Sequence, residues 1–477
     1  MVNASVGQAL ENALMWSVDM LYSWVLVFLL IGVGIGLTVY LGFPQIKNAK
    51  DIFTSISGSR TKALQGVTSF QAFAVGIGTR VGIGNIGGVA LALIMGGPGA
   101  IFWMWIIALI GMATSFVESV LAQVFKEKHW DGAFRGGPAY YMSKGLGWKI
   151  PGIIFALIAI VASGLAVPMV QINTVASTFE ANHGISPMST MIFIILLLAP
   201  VILGGIKSVA RASEYLAPIM ASVYILITII VIVANPVEAW QSLVWIIKSA
   251  FGLDPVIGGI TGGLFVALVN GARRGLFSNE AGLGTTPHAA GSATVAHPAQ
   301  QGFIQAFGVF IDTIIVCTAT ALLILIGGLY EPGMAPDLAG SLTAQSVTAE
   351  FGDWMALPMS LIVFIFGYTS AYGAYSYGQS ALDHLTRNKY VSFTFRVIAV
   401  VVAGLGAIVK LPVAWALSDF LLGLGALLNL VALLFLVKWV RVVLKDWNEV
   451  HKPGADFSFK VEKYPELAKK VEKDIWA

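Results

Sequence analysis

Between residues 16 and 440 the chain repeats one pattern, a long unbroken apolar run followed by a short polar connection. A helix needs about 20 apolar residues to cross the hydrocarbon core, whereas a spanning strand alternates over about 10. The runs are continuous and rich in Leu, Ile, Ala and Gly, which predicts spanning helices near residues 16–42, 64–95, 99–125, 150–181, 187–206, 212–234, 256–286, 302–329, 354–384, 393–410 and 412–440. The expected fold class is therefore all-α, a polytopic membrane protein with eleven transmembrane helices. A transmembrane β-barrel is excluded.

Composition agrees: 57% of the 477 residues are hydrophobic and 11% charged, against roughly a quarter charged in a soluble chain. The first 20 residues carry Glu11 and Asp19 and no Lys or Arg. A cleaved leader starts with basic residues and has a shorter apolar stretch, so the first span is read as retained. Cys317 is the single cysteine, which leaves no internal disulfide and no cysteine cluster for a metal.

The net charge of +3 matters less than its placement. Threading eleven spans alternately puts Lys47, Lys50, Arg60, Lys62, Lys126, Lys128, Arg135, Lys144, Lys149, Lys207, Arg211, Arg387, Lys389, Arg396 and nine residues from Lys438 onward on one side. The opposite side keeps only Lys248 and Lys410, while Arg80, Arg273 and Arg274 fall within spans. Basic loops stay cytoplasmic, so the N-terminus is expected outside and the basic tail inside the cell membrane. Residues 236–250, with Trp240 and Trp245, and 338–353, before Trp354, read as partly helical outer loops with interfacial tryptophans. The tail from Arg441 mixes Lys and Glu with Trp447, Phe457, Phe459 and Trp476 and is expected to lie on the surface or be loosely ordered.

Two spans depart from the pattern. Residues 76–88 place six glycines in thirteen positions around Thr79, Arg80 and Asn85. Residues 270–284 are also glycine-dense and contain Arg273, Arg274 and Glu280. Each interior glycine weakens a helix by roughly 1 kcal/mol relative to alanine. Backbone that leaves the helical ladder within a bilayer must be buried in protein or line a cavity, so both spans are read as broken around a polar pocket. The alternative, close packing through small residues, suits Gly32, Gly34 and Gly36 better. A half-helix N-terminus offers N–H groups to a carboxylate, and unwound carbonyls and hydroxyls suit an ammonium or Na⁺.

The broken spans lie five apart and open successive blocks of five. Blocks of odd length enter the membrane from opposite sides, so an internal duplication would be inverted, as in secondary transporters. The organisation read from this is an extra N-terminal helix (1–43), a first five-helix repeat (60–235), a second (236–440) and a cytoplasmic tail (441–477).

Gly96-Gly97-Pro98-Gly99-Ala100-Ile101-Phe102-Trp103-Met104-Trp105 with Gly111, Gly136-Gly137-Pro138-Ala139-Tyr140-Tyr141-Met142, and Arg274-Gly275-Leu276-Phe277-Ser278-Asn279-Glu280-Ala281-Gly282 resemble three motifs of the alanine or glycine:cation symporter family. The resemblance covers nearly the whole chain. It implies a LeuT-type fold of ten core helices plus one, and Na⁺-driven uptake of alanine or glycine. Gly78 to Asn85 is also similar to the first core helix of LeuT-type neurotransmitter:sodium symporters, Gly-Asn-Ala-Val-Gly-Leu-Gly-Asn. That similarity places the carbonyls of Gly78 and Val81 at a sodium site shared with the ninth span. It sets the amides of Ile83 and Gly84 at the substrate carboxylate and Asn85 at a possible second cation site. Thr79 and Arg80 replace Asn and Ala, and the fixed charge of Arg80 opposes a second Na⁺.

Thr369 and Ser370, central in the ninth span, supply neighbouring hydroxyls to the sodium site; bonding back to their own helix is the alternative. Asn270 and Gly271 are expected at the second break, offering carbonyls to the substrate ammonium, with Phe277 as pocket wall and Thr79 beside it. Of Gln171 and Asn173, one is expected to face the pocket, with an interhelical hydrogen bond the alternative for Asn173. Arg80, Arg273, Arg274, Glu118, Glu280, Asp312 and Asp419 must pair or meet water at membrane depth. An ion-pair network, with Glu280 on an arginine, is weighed above a cation or proton role for Asp312.

The six histidines form no His-x-x-x-His pair and no serine nucleophile motif occurs, so no catalytic residue, metal beyond Na⁺ or cofactor is expected, nor nucleic acid as a partner. The expected partners are a small neutral amino acid, Na⁺ as coupling ion, and membrane lipid. The rival readings are a proton-coupled permease of the same fold and, in another class, a channel.

Overall fold

The computed structural model describes residues 12–60, 66–253, 263–409, 411–450 and 458–476, and among these the long apolar runs fold mainly as helix. The starts of the expected second and seventh spans, residues 64–65 and 256–262, lie outside the described residues, as do Glu11, Lys62, Lys410, Lys452 and Phe457. In chain order the principal helices are α1 (Asn12–Tyr40), α2 (Ser69–Arg80), α3 (Gly84–Gly96), α4 (Gly99–Val124), α5 (Lys149–His183), α6 (Pro187–Leu203), α7 (Ile206–Ala234), α8 (Gly263–Asn279), α9 (Pro287–Ser292), α10 (Pro298–Ile326), α11 (Asp353–Leu385), α12 (Lys389–Ile408) and α13 (Leu411–Val450). The two expected outer-loop helices are present as Pro236–Ala250 and Ala339–Phe351.

Among the described residues, eight helices are long and apolar enough to cross a membrane, nine if the bent pair α2–α3 is one span. A count of eleven requires adding α6 and the α8–α9 pair, and α6 and α8 are each only 17 residues long. Helix α4 forms a buried hub with α8 and α10 along it, while α5 lies against α11 and α7 against α2. Lipid supplies no hydrophobic drive for such contacts, so close approach through small residues does. Gly164 of α5 and Gly378 of α11 touch backbone to backbone, leaving no room for a Cβ.

Both expected breaks exist, but the second is displaced. Between α2 and α3 the axis bends by 46°, and Val81 leaves the helical region at ψ 77. Between α8 and α9 the chain unwinds over residues 280–286, with Glu280, Gly282 and Gly284 at φ 60, 90 and 77. Asn270 and Gly271 therefore do not occupy a break. They sit inside continuous α8, where Asn270 Nδ2 donates to Val266 O at 3.0 Å and Gly271 is pressed against the Ala100 backbone. A glycine-rich composition marked the span, but close packing on α4 accounts for Gly271.

The face that carries most Lys and Arg is built by connections. A hairpin, β1 (Glu127–Lys128) and β2 (Phe134–Arg135), pairs Glu127 with Arg135 and Lys128 with Phe134. It seats Arg135 between Asp131 and Asp383, at 2.6 Å from each. Burial pushes the Asp131 carboxyl up, but the His129 hydrogen bond and the Arg135 charge outweigh it and hold the group well below the usual carboxylate range.

The tail departs from expectation. Residues 458–476 dock on this face with Phe459, Val461, Leu467 and Trp476 all buried. Phe459 N donates to Ala296 O at 2.9 Å, and Lys470 Nζ to Gly145 O at 2.7 Å. Lys126 Nζ lies between the rings of Phe134 and Trp476, at 4.4 and 4.7 Å.

Candidate substrate and cation site

The α2–α3 break meets α11 because glycine removes the side chain that would keep them apart. A Cβ on Gly82 would collide with Ser370 Oγ. Ser370 Oγ donates to the carbonyls of Gly78 and Thr79, both at 2.9 Å. Thr369 Oγ1 instead bonds back to Phe366 O at 3.1 Å and contacts Met220 Sδ at 3.3 Å. Both hydroxyls are fully buried. The expected sodium-site residues Gly78, Thr369 and Ser370 are thus adjacent, Val81 is buried at the same break, and Ser370 makes the direct link.

The amide expected to face a carboxylate has an acceptor: Ile83 N donates to Gln171 Oε1 at 3.1 Å. The choice between Gln171 and Asn173 is clear, since Asn173 Nδ2 bonds Gly406 O at 2.8 Å between helices. Thr79, Gly84, Gln171 and Phe277 line one inner cavity of about 20 Å³ together with Arg80, Glu280, Thr285 and Tyr377, room for about one water. A larger cavity of about 360 Å³ lies beyond, against Ile83, Gly87, Arg273, Trp415 and Asp419. Phe277 stands between the two, its ring 4.7 Å from that of Trp415, with the Arg274 guanidinium 5.3 Å over Trp415.

Asn85 bonds to Gly82 and to Asp312 of α10. Its Nδ2 donates to Asp312 Oδ1 at 2.7 Å, and its Oδ1 accepts from Gly82 N at 2.9 Å. Asp312 Oδ2 also accepts from Ser278 and Thr313 hydroxyls, both at 2.8 Å. The carboxylate lies in a π-helical stretch of α10, a widened turn of the kind found at functional positions.

The expected pairing of Glu280 with an arginine is not what forms. Arg273 bonds Asp419 at 3.0 Å and Asp19 at 2.9 Å, and Arg274 reaches Asp419 at 3.6 Å. Arg80 is buried without a carboxylate in ion-pair range among the described residues. Its guanidinium donates to Gln305 O and Ser115 Oγ, both at 3.0 Å. Glu118 of α4 caps the second break, accepting from Gly282 N at 3.1 Å and Gly284 N at 3.0 Å. Sequence reasoning missed Trp415 and Tyr377 as pocket residues. Tyr377 lies seven residues after Ser370, two turns along the same face of α11, and that spacing was the available signal.

The first break thus gathers carbonyl and hydroxyl oxygens at Gly78, Thr79 and Ser370 and presents the Ile83 amide to Gln171. The sodium:alanine symporter family model matches residues 7–461. The chain is 40% identical to the "Probable sodium/glutamine symporter GlnT" of Bacillus subtilis (strain 168), covering 94% of this chain and 93% of that one. It is 38% identical to the sodium/alanine symporter AgcS of Methanococcus maripaludis, covering 93% and 97%, and 35% identical to the sodium/proton-dependent alanine carrier protein of Bacillus sp. (strain PS3), covering 84% and 92%. In fold it is similar to MhsT crystallised with L-phenylalanine, with a TM-score of 0.55 at 13% identity over 87% of this chain and 96% of that one. It is likewise similar to a manganese transporter of Eremococcus coleocola, with a TM-score of 0.52 at 16% identity over 85% of each. With the family model spanning almost its whole length, the chain belongs to the sodium:alanine symporter family.

Proposed function

We propose that the protein takes up a small neutral amino acid, alanine or glycine, together with Na⁺ by alternating access. The observation that carries this reading is the double hydrogen bond of Ser370 to the Gly78 and Thr79 carbonyls, one turn from the Ile83 amide. A cation bound to Gly78, Val81, Thr369 and Ser370 and a carboxylate on Ile83 and Gly84 would stiffen the same break. Binding of either then favours the other, which is the linkage coupling requires. Gln171 would turn from the Ile83 amide to the substrate, and Thr79 and Phe277 would bound its side chain. Asn85, beside the Asp312 carboxylate, remains the candidate for a second cation. Residues 60–235 and 236–440 serve as the two inverted repeats, and the basic face is assigned to the cytoplasm, with the N-terminus outside. At 100 mV, one charge crossing supplies about 2.3 kcal/mol, enough for about 50-fold accumulation of a zwitterion.

The experiment is uptake of labelled alanine into liposomes holding the purified protein. An inward Na⁺ gradient should drive accumulation, and excess glycine should compete better than glutamine. Equal accumulation under a pH gradient alone would replace Na⁺ by H⁺ as the coupling ion, a reading favoured by the buried Asp312 and by the sodium/proton-dependent relative. Single-channel currents would replace the carrier by a channel.

A further inference from the structure

Glu280 is a buried carboxylate with no cation in ion-pair range among the described residues, although the Arg80 side chain lines the same cavity. It stands at the second break with left-handed backbone, φ 60, a conformation that disfavours any residue with a Cβ. Its side chain lines the inner cavity with Thr79, Gly84, Gln171 and Phe277 and is 7% exposed. Oε2 accepts hydrogen bonds from Thr285 Oγ1 at 2.9 Å and Thr286 Oγ1 at 2.6 Å. Among the described residues Oε1 accepts none. The arginines nearest in sequence, Arg273 and Arg274, are held by Asp419, and Arg80 donates to Gln305 and Ser115.

A carboxylate buried this deeply stays ionised only with a positive partner in reach. The cavity supplies the geometry for one. Its Gly84 side is the first break, whose amides suit a carboxylate, and its Glu280 side is the second break. The two threonine hydroxyls fix the carboxylate and leave Oε1 for the cavity. The uncharged oxygens of Gly78, Val81, Thr369 and Ser370 are the set proposed for Na⁺, so Glu280 is not required for that ion. We propose that Glu280 Oε1 binds the α-ammonium group of the substrate and thereby restricts transport to molecules with a free α-amino group. The proposal rests on the amino-acid reading above and replaces Asn270 and Gly271 as the ammonium side of the site.

The test is binding of labelled L-alanine to the purified full-length protein at saturating Na⁺, with competition by L-lactate, which carries a hydroxyl where alanine carries the ammonium. Glu280→Gln should weaken alanine binding by about 30- to 100-fold, the usual loss for a hydrogen bond to a charged group in a buried site. It should also bring lactate to within about tenfold of alanine, with the half-saturating Na⁺ concentration unchanged. Three results would overturn the assignment: unchanged alanine-over-lactate preference, recovery of full alanine affinity at raised Na⁺, or loss of pH dependence alone. If Glu280→Gln does not elute as a folded species, Glu280→Asp keeps the charge at shorter reach. It should bind alanine more weakly yet still reject lactate, and a folded Glu280→Asp protein that accepts lactate overturns the proposal. A wild-type protein that binds no alanine at any Na⁺ concentration defeats the amino-acid reading instead.

Discussion

Thr369 and Ser370 are neighbours with unequal tasks. The Ser370 hydroxyl leaves its own helix to bond two carbonyls of α2, whereas Thr369 stays with Phe366 O. Ser370→Ala should therefore raise the half-saturating Na⁺ concentration for alanine uptake by about tenfold, and Thr369→Ala by less, on the scale of one hydrogen bond. Measuring uptake against Na⁺ concentration for both variants decides it, and equal shifts would count against the Ser370 link. Residue type made these hydroxyls legible in the sequence, since paired hydroxyls in an apolar run need a partner. It made Gln171 legible for the same reason. Asn270 misled because a polar residue beside glycines looks the same whether the glycines unwind a helix or let another helix touch it.

Each broken helix has its freed backbone groups met by a different device. At the first break neutral side-chain amides meet the freed N–H groups, Gly82 N donating to Asn85 Oδ1 and Ile83 N to Gln171 Oε1. At the second, the Glu118 carboxylate on α4 takes the amides of Gly282 and Gly284, and Asn429 of α13 bonds Glu118 and Gly282 O. Replacing the carboxylate by an amide removes the charge from two buried bonds. Glu118→Gln should lower stability by about 2–3 kcal/mol, read as a lower melting temperature of the purified protein, with Ser115→Ala as a milder comparison on the same helix. An unchanged melting temperature would mean that the break is held by packing alone. The first break could be placed from its own sequence because its glycines are the ones that unwind. The second could not, because its position is set by Glu118, more than 160 residues earlier, and one sequence does not reveal that contact.

At the scale of the molecule, the spans follow from apolar runs, but the basic face does not. Its seat for the tail is assembled from residues of two connections, α4–α5 and α9–α10, and the four apolar residues that fill it are too sparse to show periodicity. Lys126 lies in that seat and shows the cost of closing it: burial pushes its ammonium down to about 7. Between that value and the ordinary lysine value of 10.5, the unfolded chain holds the proton more readily than the folded one. Stability should thus rise as pH increases through that window, and below it the cost of the buried charge is fully present. Melting temperatures taken from neutral to alkaline pH should climb, and Lys126→Met should flatten the climb; an equal slope in the variant would remove Lys126 as its cause. The docking of the tail also orders events in time. From Ala296, which receives Phe459, to Ser458 there are 162 residues (458 − 296). At the usual rate of synthesis they take roughly 8–30 s to make. For that interval the seat waits uncovered while the later spans enter the bilayer, so the basic face is closed only after α13 has been made.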